Sequence, residues 1–151
     1  MPAPPADPTC AFCRVAAGTE VGHVVFEDPV TLAFLDHRPV FPGHCLLVPR
    51  AHVPTFTDAP AELLAPLLSN AQLLARAVEV GLGAEGAFVA VNHRVSQSVA
   101  HLHVHVVPRR RGDGLRGFFW PRHRYPSEAE AERVRDLIRE AVAGLHRPPV
   151  A

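Results

Sequence analysis

Three histidines stand at alternate positions in His101-Leu102-His103-Val104-His105-Val106-Val107. Side chains of an extended strand alternate between its two faces, so the imidazoles share one face and Leu102, Val104 and Val106 the other. Same-face neighbours lie roughly 6.6 Å apart, two steps of about 3.3 Å, close enough for rings with different tasks to line one pocket. Histidine suits such a pocket because an ordinary pKa of about 6.5 leaves much of it neutral at pH 7, able to attack an electrophile or bind a metal. The alternation with branched apolar residues sets the run apart from a tag-like histidine tract.

A second candidate is Cys10-Ala11-Phe12-Cys13, which has the spacing of half a tetrahedral metal site. With Cys45 the cysteines number three, and an odd count with one close pair fits a thiolate metal pair or free thiols better than a disulfide framework. Cys45, beside Leu46, Leu47 and Val48, reads as a small buried apolar residue.

These groups need a scaffold, and 151 residues, 48% of them hydrophobic, are enough for one domain with a real core. Fifteen basic and fifteen acidic side chains balance, which argues against nucleic-acid binding by bulk electrostatics and leaves a small phosphorylated ligand open. No stretch reaches the ~18 apolar residues of a membrane span, and the proline-rich start lacks a secretory pattern, so a cytoplasmic protein is expected. Residues 1 to 9 and 147 to 151 read as flexible tails around a domain at residues 10 to 146.

Val24 to Glu27 and Thr31 to Leu35 read as a hairpin about Asp28-Pro29, and Gly43 to Val48 as a third strand. Apolar residues at 63, 64, 67, 68, 71, 74, 75 and 78 follow the helical period, predicting a main amphipathic helix from about Pro60 to Val80. Asp58 is its candidate cap, Gly81 its stop, and Pro66 a possible kink. Gly86 to Val91 and His101 to Val107 complete about five strands, joined by the polar loop Asn92 to Ala100. A C-terminal helix runs from Ser127 to Leu145, with Ser127 and Glu130 at capping-box spacing. Strands interspersed with helices over short links give an α+β fold with an antiparallel sheet.

The run Gln97-Ser98-Val99-Ala100-His101-Leu102-His103-Val104-His105-Val106-Val107-Pro108-Arg109 resembles the histidine-triad family signature. Upstream, Phe26-Glu27-Asp28, Ala33-Phe34-Leu35-Asp36, Pro42-Gly43-His44 and Leu47-Val48-Pro49-Arg50-Ala51-His52 are similar to that family in the same order. The resemblance implies a histidine-triad antiparallel sheet and a homodimeric nucleotidyl hydrolase or transferase. Its substrate would be a purine nucleotide ester or phosphoramidate, or a dinucleoside polyphosphate, cleaved at the α-phosphorus. By position His103 is the nucleophile, forming a covalent nucleotidyl-histidine, and a backbone carbonyl should pin its other nitrogen. His105 is a donor beside the phosphate. Gln97, Ser98 and Asn92 are further phosphate or leaving-group contacts, and Asp36 accepts the ribose hydroxyls. Phe34 and Phe12 either sandwich the base or pack in the core.

Zinc-bearing members of the wider family imply that His52 and His101 complete the Cys10/Cys13 site, which makes Zn2+ structural and withdraws His101 from catalysis; His44 is the fallback ligand. Ser96 departs from the family's usual glycine before Gln97, which leaves the shape of the phosphate cradle open. The arginine-rich stretch 109–122, with Trp120, reads either as a polyphosphate or second-base contact across a dimer or as a solvated loop; RNA is a weaker third option. The same residues fit two rival functions. One is a metallohydrolase with catalytic zinc on alternate histidines, and the other a nucleotide sensor without turnover.

Overall fold

The computed structural model describes residues 6–116 and 122–145. The chain forms two compact units, Met1–Asp113 and Gly114–Ala151. The first holds α1 (Ala11–Ala16), strands β1 (Val24–Glu27), β2 (Thr31–Leu35) and β3 (Cys45–Pro49), a single 3-10 turn (Phe56–Asp58), α2 (Ala61–Leu82), β4 (Gly86–Ala90) and β5 (Val104–Arg109). The sheet is antiparallel throughout with order β1-β2-β3-β5-β4. Inserting β5 between β3 and β4 pairs Leu46 with His105 on one side and Ala90 with His105 on the other. Backbone pairing on both sides holds that histidine's position.

The alternation sorts the two faces as the sequence predicts. Leu102, Val104 and Val106 join Ala33, Leu47 and the buried stripe Leu63, Leu67, Ala71 and Leu74 of α2 in one core cluster. Phe34, Leu46 and Val48 face the other way and pack with Cys10, Phe12 and Cys13 around α1. The short helix α1 is absent from the sequence reading because six residues carry too little periodicity to register.

Three expectations shift. The β5 ladder begins at Val104, not His101; Leu102 N–H instead donates to Val53 O at 2.7 Å, tying the histidine run to the segment after β3. Helix α2 passes Gly81 and ends at Gly83, whose φ of 66° gives the left-handed cap. Arg110 makes that end hold, its guanidinium donating to Leu82 O at 2.7 Å and Gly83 O at 2.8 Å. Asp58 caps the 3-10 turn together with Thr55, while Pro60 occupies the N-cap of α2, and the helix runs through Pro66.

In the second unit, α3 (Glu128–Gly144) starts at Ser127, whose hydroxyl accepts from Glu130 N–H at 3.2 Å. The side chain of Glu130 pairs with Arg133, so one half of the anticipated capping box is made by the cap and the other is replaced by an ion pair. No helix among the described residues is long and apolar enough to cross a membrane. Trp120 and most of the proposed tails, residues 1–5 and 147–151, lie outside the described residues.

Candidate active site and metal centre

His103 is buried, 4% exposed, directly before β5. Its Nδ1–H donates to the carbonyl oxygen of His101 at 2.7 Å, so in the neutral ring the lone pair sits on Nε2. The sequence called for such a carbonyl without identifying it. Phe12 packs edge-on to this ring at 5.3 Å between centroids, and the His105 ring stands 5.0 Å away.

His105 belongs to a chain of hydrogen bonds whose direction can be read. Val40 N–H donates to His44 Nδ1 at 3.1 Å, which leaves the proton of neutral His44 on Nε2. His44 Nε2 lies 2.9 Å from His105 Nδ1 and donates to it, so the proton of His105 is on Nε2. That Nε2 is buried and has no hydrogen-bond partner among the described residues. A buried N–H without an acceptor is costly, and a site that supplies an anionic oxygen on binding would repay it.

Asp36 joins the same corner. Its Oδ1 accepts from Arg38 N–H at 2.9 Å, and Oδ2 is 3.8 Å from His44 Nδ1. Asp36, His44 and His105 have potential ligand atoms within 4.8 Å of one another, but Val40 N–H and the ring-to-ring bond already occupy both nitrogens of His44. The arrangement is a proton-ordering relay. His44, weighed from sequence only as a spare metal ligand or a core-edge residue, is thereby a functional candidate in its own right. The signal that would have found it is cross-strand register, because β3 pairs Cys45 with Val106 and so brings the residue before β3 beside His105. Gly43 permits the approach: its φ is +96°, and a Cβ there would overlap the Leu82 side chain.

Burial pushes His105 down to about 4, with the neighbouring His103 and His44 adding to the effect and Asp36 opposing it. Burial also lowers His44, against the raising influence of Asp36. An unfolded ring takes up its proton near 6.5, whereas folded His105 does so only near 4. Between those values the unfolded chain binds more protons, so stability rises with pH there and is lost as pH falls. The urea midpoint should be lower at pH 4.5 than at pH 7, and a His105→Gln variant should show a shallower loss; identical acid profiles would refute this account.

The other residues named from sequence fall into separate groups. Phe12 and Phe34 are both buried and meet edge to face at 5.3 Å, so each ring fills the space beside the other. Ser98 is exposed in the loop between β4 and β5. Asn92 Nδ2 donates to Ser96 O at 3.2 Å. Gln97 spends its whole amide on the loop: Nε2 donates to Pro54 O at 2.7 Å and Val99 O at 3.0 Å, and Oε1 accepts from Arg94 N–H. In this state it braces the loop.

The brace holds Arg94 and Ser96 at φ of 63° and 61°, the left-handed region. That explains why a glycine is at home at position 96, and Ser96→Gly is expected to stabilise the protein by a few tenths to about 1 kcal/mol, since relief of strain exceeds the added chain entropy. Thermal melts of the two proteins check it; a lower melting temperature for the glycine variant would contradict the argument. Arg109 is committed to Asp113 through two bonds of 2.6 and 3.0 Å, and Arg110 to the end of α2, so in this structure both serve the scaffold.

Cys10, Cys13, His52 and His101 converge independently of these groups, with one ligand atom from each within 4.8 Å of the others. His101 Nδ1 lies 3.4 Å from Cys10 Sγ and 3.5 Å from Cys13 Sγ, and His52 Nδ1 lies 3.3 Å from Cys13 Sγ. His101 Nε2–H donates to Pro49 O at 2.8 Å, which turns the Nδ1 lone pair toward the thiols. Burial pushes the Cys13 thiol up and His101 down to about 4, despite the opposing Pro49 carbonyl. Two soft sulfur donors and two neutral imidazole nitrogens make a donor set suited to four-coordinate zinc.

Comparison with known proteins agrees with this geometry. The HIT domain profile matches residues 18–112. An uncharacterized HIT-like protein of Mycobacterium tuberculosis is 35% identical over 139 residues, 89% of this chain and 93% of that protein. The adenylylsulfatase HINT3 of Arabidopsis thaliana is 28% identical, over 90% of this chain and 71% of its own length. Among solved structures, a Streptococcus mutans protein superimposes with a TM-score of 0.82 at 29% identity, covering 90% of this chain and 87% of its own. A zinc-bound histidine-triad protein of Mycobacterium smegmatis does so with a TM-score of 0.69 at 34% identity, covering 91% and 98%. With a matched domain that spans most of the sequence and includes the three alternate histidines, this chain belongs to the histidine-triad (HIT) family.

Proposed function

We propose that the protein is a nucleotidyl hydrolase or transferase that uses His103 as its nucleophile. The observation that carries this reading is the pair of rings at the start of β5, one just before the strand and one within it. His103 presents an unprotonated Nε2 because His101 O holds its Nδ1–H, and beside it His105 carries a buried Nε2–H with no partner among the described residues.

His103 Nε2 attacks the α-phosphorus of a nucleoside phosphoramidate, phosphate ester or dinucleoside polyphosphate. A P–N bond forms, the bond to the leaving group breaks, and the leaving group takes up a proton. Water then attacks the same phosphorus, the P–N bond breaks, and nucleoside monophosphate departs. Dividing one hard displacement in two is what the covalent step gains. His105 Nε2–H donates to a non-bridging oxygen as charge builds there, in a pocket already arranged to receive it. The His44 ring holds His105 in the required tautomer. Asp36 serves the ribose hydroxyls, and Ser98 and Asn92 lie at the loop that meets the leaving group; Phe34 and Phe12 form the apolar floor below. The fission-yeast asymmetrical bis(5'-nucleosyl)-tetraphosphatase among the relatives supports the dinucleoside polyphosphate reading, and the adenylylsulfatase supports cleavage at an adenylyl group.

Zn2+ at Cys10, Cys13, His52 and His101 is read as structural, since four protein donors close the coordination shell and leave no position for water. The family implies a homodimer; β4 is an edge strand on which Val89 is exposed, which supports a pairing surface there, and sedimentation equilibrium tests it. Activity is tested by incubating the protein with an adenosine phosphoramidate and with a diadenosine polyphosphate and separating the products. Release of adenosine monophosphate is expected; binding without product would leave a nucleotide sensor.

A further inference from the structure

We infer that His101 is a positioning residue, through which occupancy of the Cys10/Cys13/His52/His101 site sets the tautomer and orientation of the His103 ring. The inference rests on the reading of that site as zinc-binding and adds a link from the metal to the attacking nitrogen.

One residue joins three structures. The Nδ1 of His101 faces the two thiols at 3.4 and 3.5 Å. Its Nε2–H donates to Pro49 O, the last residue of β3, at 2.8 Å. Its backbone carbonyl receives the Nδ1–H of His103 at 2.7 Å. The carbonyl that chooses which His103 nitrogen is free therefore belongs to a residue whose ring is anchored at both ends.

The anchoring extends to the two chain segments that meet there. Residues 49 to 54 and 97 to 103 are cross-linked by Leu102 N–H to Val53 O at 2.7 Å and by Gln97 Nε2 to Pro54 O at 2.7 Å. His52 lies in the first segment and His101 in the second, so a metal held by both residues would tie the segments at a further point. This tie is needed because His101–His103 precede the β5 ladder, which begins only at Val104. Sheet hydrogen bonds hold His105; the backbone at His101 depends on the Leu102 bond and on the side-chain anchors. Removal of the metal leaves His101 Nδ1 with only the weak contacts of the two buried thiols at 3.4 and 3.5 Å, and the residue then depends on the Pro49 and Val53 bonds.

The test compares zinc-loaded protein with the same protein stripped by chelation, using long-range nitrogen–proton correlation spectra of 15N-histidine. In the loaded form His103 should show a single Nδ1–H tautomer. In the stripped form it should show both tautomers or a displaced Nε2 resonance, with kcat down about 10- to 100-fold, the scale of lost outer-shell support, and KM changed less. If the stripped protein does not stay folded, cadmium replaces zinc: longer metal–sulfur bonds should shift the His103 resonances, and unchanged resonances would overturn the proposal. An unaltered Nδ1–H tautomer after complete zinc loss also overturns it, as does failure of the protein to take up zinc. Formation of a nucleotidyl adduct on His103 is read in a separate experiment, so failure of the proposed chemistry and failure of this coupling are distinguishable.

Discussion

Replacing His103 by alanine is expected to lower turnover of a nucleoside phosphoramidate by about a thousandfold or more, because the covalent route disappears and the remaining pocket can only bind. The effect should fall on kcat rather than KM. Asp36, which is read as holding the ribose, keeps its place beside His44, and Phe12 keeps its edge-to-face partner Phe34 while losing its contact with the His103 ring. Rapid quenching of the parent protein, followed by mass spectrometry under alkaline conditions that preserve a phosphorus–nitrogen bond, should find one nucleotidyl group on the peptide containing His103. No adduct should form on the alanine variant. A variant that cleaves at the parental rate would eliminate His103 as nucleophile. Loss of activity in the absence of any adduct would favour direct attack by water, with His103 as base.

The second large effect concerns the metal. A ligand that binds only the folded state at a free concentration of about 1,000 times its Kd adds about 4.1 kcal/mol of stability. For a chain of this size each kcal/mol moves the melting temperature by about 2–4 °C. Cys13→Ser, or stripping by a strong chelator, should therefore lower the melting temperature on the order of 10 °C and release one zinc per chain by elemental analysis. The choice of Cys13 follows from its position: its sulfur lies within 3.5 Å of both His52 Nδ1 and His101 Nδ1. Equal melting curves with and without chelator would remove the structural role. The same experiment separates this reading from a catalytic zinc on alternate histidines. Stripping would then abolish activity outright, whereas a structural zinc leaves a slower, less stable enzyme.

Much of the scaffold is legible in the residues because it rests on local period. Strands whose successive side chains pack on opposite faces of the sheet and a long helix with buried residues at 63, 67, 71, 74 and 78 need only side-chain patterning to be recognised, and the observed bounds of β1 and β2 coincide with those read from sequence. Errors collect where a distant group intervenes. The end of α2 lies two residues beyond the expected glycine because Gly83 has the left-handed conformation and Arg110, far along the chain, binds the last carbonyls. The bond from the Gln97 side chain across to Pro54 O is likewise invisible in sequence, since nothing local reveals that this carbonyl lies within reach.

The candidate site divides along the same line. The alternation from His101 to Val107 was enough, by the two-residue repeat of extended chain, to separate a core face from a face of imidazoles, and the Cys10/Cys13 spacing was enough to propose half of a metal centre. Which nitrogen of each ring carries its proton could not be read that way. It depends on the Val40 amide, the His44 ring and the carbonyls of Pro49 and His101, brought to within hydrogen-bond distance by strand order and register. Patterning is a property of neighbours along the chain and survives in one dimension; proton placement is decided by the nearest acceptor in space, and only the folded sheet supplies it.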